Sequence, residues 1–154
     1  MRRWQVLQDD PQAGRKILYL RGNFGGRKLD EAGLTWLPAY STVSGSLPRA
    51  DVPELKGFKA TETSVAPRIV RCQIEVTTGG EVGIRHNASK VPGRVLHALW
   101  IDDGPDMPFT EIKPVLAPGV HTLTFLLSGE GDPLKVELFD VPGSPAKAQP
   151  VLGR

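Results

Sequence analysis

Val70-Arg71-Cys72-Gln73-Ile74-Glu75-Val76-Thr77 alternates apolar and polar residues at every step. A period of two is what a β-strand with one dry and one wet face requires, because successive side chains leave a strand on opposite sides. The run begins near Arg68 and reaches Thr78-Gly79-Gly80-Glu81, where glycine takes positive φ at little steric cost. Val82 and Ile84 then resume the alternation with Arg85 on the wet side, so the spacing predicts a β-hairpin over 68–84.

Downstream, Val95-Leu96-His97-Ala98-Leu99-Trp100-Ile101 is apolar almost throughout, the pattern of a central strand covered on both faces. Asp102-Asp103-Gly104-Pro105 ends it, and Phe109-Thr110-Glu111-Ile112 is the expected return strand. After the turn Ala117-Pro118-Gly119, residues 120–127 put Leu123, Phe125 and Leu127 on one face and Thr122 and Thr124 on the other. A further turn, Gly129-Glu130-Gly131-Asp132-Pro133, leads into the alternating Leu134-Lys135-Val136-Glu137-Leu138.

Upstream, Lys16-Ile17-Leu18-Tyr19-Leu20 reads as a short strand before the turn-rich Gly22-Asn23-Phe24-Gly25-Gly26. Residues 27–66 are loop-rich, with large apolar side chains scattered among Gly, Pro and Ser. So long a stretch without an element is unusual in a compact domain, and one or two short strands or turns are expected within it. No helix is required, since the nearest candidate, 30–37, is interrupted by Gly33 and closed by Pro38. Short strands separated by Gly and Pro turns point to an all-β fold. The expected form is an antiparallel β-sandwich, jelly-roll or lectin-like, of six to eight strands. One domain is expected over 1–141, with 1–15 as an N-terminal arm and 142–154 as a Pro- and Gly-rich tail.

The 154 residues suffice for one core, and 17 glycines and 14 prolines without a fixed period fit many turns. The net charge of +2 is spread over interspersed Lys, Arg, Asp and Glu, so no basic stripe marks a nucleic-acid partner. Cys72 is the only cysteine, which excludes an internal disulfide and a cysteine zinc cluster; amid strand residues it reads as a buried, inert thiol. No segment approaches the roughly 18 apolar residues of a membrane span, and the start lacks the apolar stretch of a signal peptide. By itself the sequence assigns no compartment.

Candidate chemistry is sparse. His86, His97 and His121 match no compact metal-ligand spacing, and hydrogen-bonded structural roles are expected of them. Asp102, Asp103 and Asp106 sit at a strand end, where carboxylates can gather round calcium, although a plain acidic turn has the same composition. Trp36, Tyr40 and Trp100 could stack on a sugar ring while Asp102 and Asp103 take hydroxyls. Within an apolar strand, Trp100 equally suits the core. Ser41, Ser44 and Ser46 lack a Gly-x-Ser-x-Gly elbow, no carboxylate pair stands out as acid and base, and Gly22–Gly26 lacks the Lys and Ser/Thr of a phosphate loop. The expected class is a non-catalytic binding module with no catalytic residue and no cofactor beyond the calcium option, a small hydrolase being the remaining alternative.

The order of residues carries a resemblance as well. Trp36-Leu37-Pro38-Ala39-Tyr40-Ser41-Thr42-Val43-Ser44-Gly45-Ser46-Leu47-Pro48, Ile74-Glu75-Val76-Thr77-Thr78-Gly79-Gly80, Ala98-Leu99-Trp100-Ile101-Asp102-Asp103-Gly104, residues 116–125 and residues 136–146 together resemble the carboxy-terminal β-rich region of large exported planctomycete-type haem-binding proteins. The likeness spans about residues 36–150. Such proteins join a dehydrogenase-like propeller, helical repeats and a cytochrome c module, so the resemblance implies an extracytoplasmic accessory domain beside a propeller or cytochrome partner. The Trp-Ile-Asp-Asp-Gly and Pro-Gly-Val-His-Thr-Leu stretches are also similar to hairpins of protective-antigen-type lectin sandwiches, which implies a glycan ligand. The chain has no Cys-x-x-Cys-His, so no covalent haem attaches to it.

Overall fold

The computed structural model describes residues 1–12, 16, 26–55, 66–88, 99–128 and 131–152. In chain order the strands are β1 (Arg3–Leu7), β2 (Trp36–Tyr40), β3 (Ser46–Leu47), β4 (Pro67–Thr78), β5 (Gly80–Glu81), β6 (Gly83–His86), β7 (Leu99–Ile101), β8 (Asp106–Met107), β9 (Glu111–Ile112), β10 (Val115–Leu116), β11 (Gly119–Ser128), β12 (Leu134–Phe139) and β13 (Lys147–Pro150). A helix, α1 (Gly26–Glu31), and a 3₁₀ turn at Arg49–Asp51 are the other elements with described bounds. Eight strands run three residues or more, and five are two-residue bridges.

Every strand pairing among the described residues is antiparallel. The first sheet has the order β2-β1-β4-β11-β7-β8, with β13 also on β4. The second has the order β3-β12-β6-β9, and β5 and β10 form a small ladder of their own. The sheets do not close into a barrel, and the all-β sandwich expectation holds.

The alternation around Ile74 fixes the centre. Val70, Cys72, Ile74 and Val76 are buried on one side of β4, and β11 matches them across the ladder, with Leu123 opposite Cys72 and Phe125 opposite Val70. These side chains meet Leu47, Ile84, Leu134 and Val136 of the second sheet in the main core. Trp4 and His86 both meet Phe125 edge-on, with centroids 6.2 and 5.3 Å away.

A second, smaller core lies on the opposite face of the first sheet. Consecutive residues of a strand point to opposite faces, and here both are buried: Val6 with Leu7, Val70 with Ile69, Leu99 with Trp100. Leu7, Ile69 and Trp100 pack with Leu29 of α1 and with Leu55. That explains why β7 is apolar at every position. The helix itself corrects the expectation of none. Gly33 ends it at φ 65°, its amide donating to the Asp30 carbonyl, so the glycine that interrupts the candidate at 30–37 serves instead to stop α1.

Three further expectations change. Residues 82–84 do not fold back on β4; after β4 the chain crosses to the other sheet, where β6 pairs with β12 and β9. Gly80 permits the crossing at φ 144°, and a Cβ there would lie 2.9 Å from Ser144 Oγ. The return strand of β7 is β8, with Leu99 opposite Met107, whereas Glu111 and Ile112 belong to β9 in the second sheet. Part of the supposed tail is a strand, because Ala148, Gln149 and Pro150 pair with Val76, Glu75 and Ile74. In the loop-rich stretch, β2 and β3 supply the short strands anticipated there. Of the strand expected at 16–20, Lys16 is helical, its amide donating to the Gln12 carbonyl, and 17–20 lie outside the described residues, as do 22–25, 95–98 and His97.

Strand β2 is the outer strand of the first sheet, and Pro38 sits in its middle. The Gln8 amide donates to Thr35 and the Ser41 amide to Arg2, so Leu37 and Ala39 face β1 and Pro38 faces outward. A proline at that place removes the donor that another chain would use, which blunts the edge.

Gly83 lies opposite Phe139, and the ring rests on it: an added Cβ would come within 2.6 Å of two ring carbons and 2.5 Å of the Phe139 carbonyl oxygen. Arg85 covers the same ring, with Cζ 5.0 Å from its centroid. Gly83→Ala is expected to lower stability by about 1–3 kcal/mol through overpacking. Urea unfolding checks it, and a variant within experimental error of the parent would remove this contact from the account.

Candidate functional site

The residues singled out from sequence do not converge on one cleft. Trp100 is 3% exposed and belongs to the core beneath α1. Trp36 borders that core, half-buried, with the Arg71 guanidinium 4.0 Å over its ring. Arg71 is held there by Gln5 Oε1 and Asp30 Oδ1, each 2.7 Å away. Tyr40, at the far end of β2, is 66% exposed. Asp102 and Asp103 lie at the β7–β8 turn, away from β2 along the sheet order.

Asp102 holds a left-handed conformation at φ 49°. Its Oδ1 accepts the Thr122 amide at 2.8 Å, and Oδ2 lies 2.6 Å from His121 Nδ1. His121 Nε2 is 2.8 Å from the Ala117 carbonyl. Burial works against charge on this ring, but the Ala117 carbonyl and the Asp102 carboxylate outweigh it and hold His121 above the ordinary imidazole value. Asp102 therefore fastens a turn to β11. Among the described residues no three His, Cys, Asp or Glu side chains come together to hold an ion.

His86 is buried against Phe125, with Nε2 3.0 Å from the Phe109 carbonyl and Nδ1 accepting the Ala88 amide at 3.2 Å. Only the neutral ring fits both partners, since a proton on Nδ1 would face the Ala88 N–H. Burial lowers its pKa, partly offset by the Phe109 carbonyl. The unfolded chain then takes up a proton before the folded one does. The stabilisation is full above the unfolded value near 6.5 and drains away as pH falls below it. Thermal melts should show that decline below about pH 6.5 in the parent and a shallower one in His86→Gln; parallel profiles would be the contrary result. Cys72, likewise buried, is pushed up to about 12 by desolvation and is chemically inert.

Two arginines plug one end of the sandwich. Arg68, at the start of β4, donates to the Arg49 carbonyl at 3.1 Å, to the Val52 carbonyl and to Glu54 Oε1 at 2.8 Å. Arg49 donates from Nε to the Asp132 carbonyl at 2.9 Å. Burial and then the like charge of Arg68 pull Arg49 below the ordinary guanidinium value. Arg49 Nη1 and Arg68 Nε are buried without a hydrogen bond.

Among the described residues, a concave surface lies along β12. His86 directs its amide to Thr110 on the β9 side, and the Asn87 amide donates to the Lys135 carbonyl. Backbone groups alternate in direction along a strand, so Lys135, Glu137 and Phe139 turn theirs toward β6, while Leu134, Val136 and Leu138 turn theirs the other way. On that other side β3 pairs only with Leu134 and Lys135, and no strand of the described residues continues the ladder. The shortness of β3 has a local cause. Thr42 and Ser46 close a tight turn, with Gly45 at φ 81°, and lead the chain away.

Beyond β3 the open edge of β12 borders a cleft of about 450 Å³, walled by Met1, Gly45, Pro150, Arg85 and Glu137. A second cleft of about 300 Å³ shares Leu138 and Phe139 and is walled by Glu81, Asp140, Ala146 and Ala148. Met1, Leu138, Ala146 and Ala148 are all partly buried and pack against the main core. Together the clefts form a seam where the edges of the two sheets stand apart and the core reaches the surface. Charge along it is set by the Arg85–Glu111 pair at 2.9 Å, the Lys135–Glu137 pair at 2.7 Å, and Glu81 and Asp140 at the far end. Sequence reasoning missed the seam because half of it falls in the supposed tail. The weak signal was there: Ala146, Ala148 and Pro150 alternate with Lys147 and Gln149. Comparisons with family models, with curated proteins and with solved structures found no match to this chain.

Proposed function

We propose that this chain is a non-catalytic interaction module that docks onto a partner through the open seam between its two sheets. The observation that carries it is strand β12, whose edge beyond Leu134 and Lys135 is met by no strand of the described residues and faces a cleft lined by Val136 and Leu138. An edge with unused backbone groups over apolar surface gains both hydrogen bonds and burial when covered. The family resemblance suggests an attached propeller or cytochrome domain of an exported protein as the partner. Carbohydrate is the second reading, favoured by Phe139, Arg85 and Glu137 around the larger cleft, where a pyranose would find an aromatic ring and charged hydrogen-bonding groups.

Ala148→Phe tests the seam by filling the smaller cleft from a half-buried position on the outer strand β13. Parent and variant are screened against a displayed peptide library and a glycan array, with melting temperature as the folding control. Hits on the parent that vanish on a folded variant are expected. Hits of equal strength on both proteins, no hits at all, or ester or glycoside turnover above background would each overturn the proposal.

A further inference from the structure

The structure assigns His121 the part of a pH-sensitive latch: as an imidazolium it clasps the turn at 117–119 to the β7–β8 turn, and on losing a proton it lets go of the Ala117 side. The inference is independent of what occupies the seam. Both ring nitrogens face acceptors, Nδ1 at 2.6 Å from Asp102 Oδ2 and Nε2 at 2.8 Å from the Ala117 carbonyl oxygen. A neutral imidazole has one N–H and one lone pair and satisfies only one of them, whereas the imidazolium has two donors and satisfies both. When one partner is given up, the carboxylate keeps its donor, because a charged acceptor holds an N–H more strongly than a carbonyl does. Deprotonation then sets the Nε2 lone pair against the Ala117 oxygen, and that contact opens. His86 differs, since its ring meets one carbonyl and one N–H and is satisfied when neutral.

The charged groups around the ring favour the closed form. Asp102 lies against it, and Asp103 and Asp106, farther along the same connection, are also acidic. The turn at 117–119 brings Ala117, Pro118 and Gly119, none of them charged. On β4 the residue opposite is Ile74; Glu75 points to the other face, where Gln149 donates to its carboxylate at 2.9 Å. On β13 the neighbour of Ile74 is Pro150, while Arg71 of β4, opposite Thr124, and Lys147 of β13, opposite Thr78, are farther along the sheet.

The latched carbonyl directly follows β10. The Val82 amide donates to the Pro114 carbonyl at 2.9 Å, and hydrogen-bonded pairs alternate along an antiparallel ladder, so Gly80 and Leu116 are the next pair to exchange backbone bonds. A Cβ on Gly79 would lie 3.1 Å from both the Leu116 carbonyl oxygen and Pro118 Cδ, so the turn rests on the place where the chain crosses between the sheets. The folded ring holds its proton above the ordinary imidazole value. The clasp is therefore complete below about pH 6.5 and is lost as pH rises through the folded value. His86 works in the opposite direction, so global melts mix the two and a local probe is needed.

Nitrogen-15 NMR of the ring follows the proton on the full chain, and amide exchange at Gly80 and Leu116, divided by the intrinsic rate at each pH, follows the ladder. In the parent, protection at these two amides should fall by at least about threefold as pH rises through the His121 midpoint. The Phe125 amide, which faces β4 in the middle of the sheet, should keep its protection. Asp102→Asn separates a latch from a histidine that merely fills space. Asparagine tolerates the left-handed turn and still accepts the Thr122 amide, but its own amide donates to Nδ1, so a neutral ring with its proton on Nε2 satisfies Ala117. The variant should titrate at lower pH than the parent and protect Gly80 and Leu116 equally on both sides of the parent's midpoint. Parent protection that ignores the titration of His121, a parent midpoint below the ordinary value, or the same fall at the same pH in Asp102→Asn would each overturn the latch.

Discussion

Ile74→Asp leaves the chain unfolded at 25 °C. Ile74 is fully buried in the middle of β4, and its neighbours on the two sides are His121 of β11 and Pro150 of β13. Removing a buried isoleucine forfeits about 1.5–3 kcal/mol of burial. Placing an unpaired carboxyl in the same space adds a penalty of several kcal/mol even if it takes a proton to stay neutral. The total approaches the roughly 5–15 kcal/mol that holds a whole domain. Aspartate is too short to reach water from the centre of a sheet flanked on both edges. Ile74→Val, which keeps the shape and loses one methylene, should cost only about 0.5–1.5 kcal/mol. Circular dichroism melts compare the two, and a cooperative melt of the aspartate variant would refute the assignment of the core.

Arg68→Met is expected to cost about 2–4 kcal/mol, and Glu54→Gln less than about 1 kcal/mol, although the two residues form one ion pair at 2.8 Å. The asymmetry comes from what each removal strands. Without Arg68, the carbonyls of Arg49 and Val52 lose a donor inside the protein, and the 3₁₀ turn between them loses its anchor to β4. Without the Glu54 charge, Arg68 keeps both carbonyls, and the carboxylate itself is 37% exposed, where water already screens the pair. Relief of the repulsion on Arg49 offsets part of the cost of Arg68→Met. Urea titrations of both variants decide it: similar losses would mean that the ion pair, not the carbonyls, holds the turn.

Period-two patterning showed which segments are strands but not where they pair. Residues 70–76 were legible because half of the run faces a dry core and half a polar surface; 120–127 kept its alternation of residue types although Thr124 is buried and Leu126 packs against the second core. The partner of 82–84 was not legible. Alternation reads the same in either sheet, and the choice was made by Gly80 packed against Ser144, sixty-odd residues away in the chain. Strand β13 has no β-branched residue before Val151, so its extended state comes from β4 rather than from its own propensity. Trp100 showed the ambiguity of a continuous apolar run: the residue proposed for a ligand is covered by α1, a helix whose sequence signal is one turn long. The seam has no motif at all. It exists because β3 stops two residues into its pairing with β12, and such an omission belongs to topology.

Strands β1 and β13 share one edge of β4, end to end: Gln5 stands opposite Arg71, and the Val151 amide donates to the Gln73 carbonyl. The middle strand of the larger sheet is thus completed only when segments from the two extremes of the sequence arrive side by side. Closing so long a loop has an entropic cost that local structure cannot lower, so folding should be slow for a domain of this size. During synthesis that half of the β4 edge stays bare until residues 147–151 have emerged, which makes β13 the last piece of the sheet to be laid and the first whose loss would expose it.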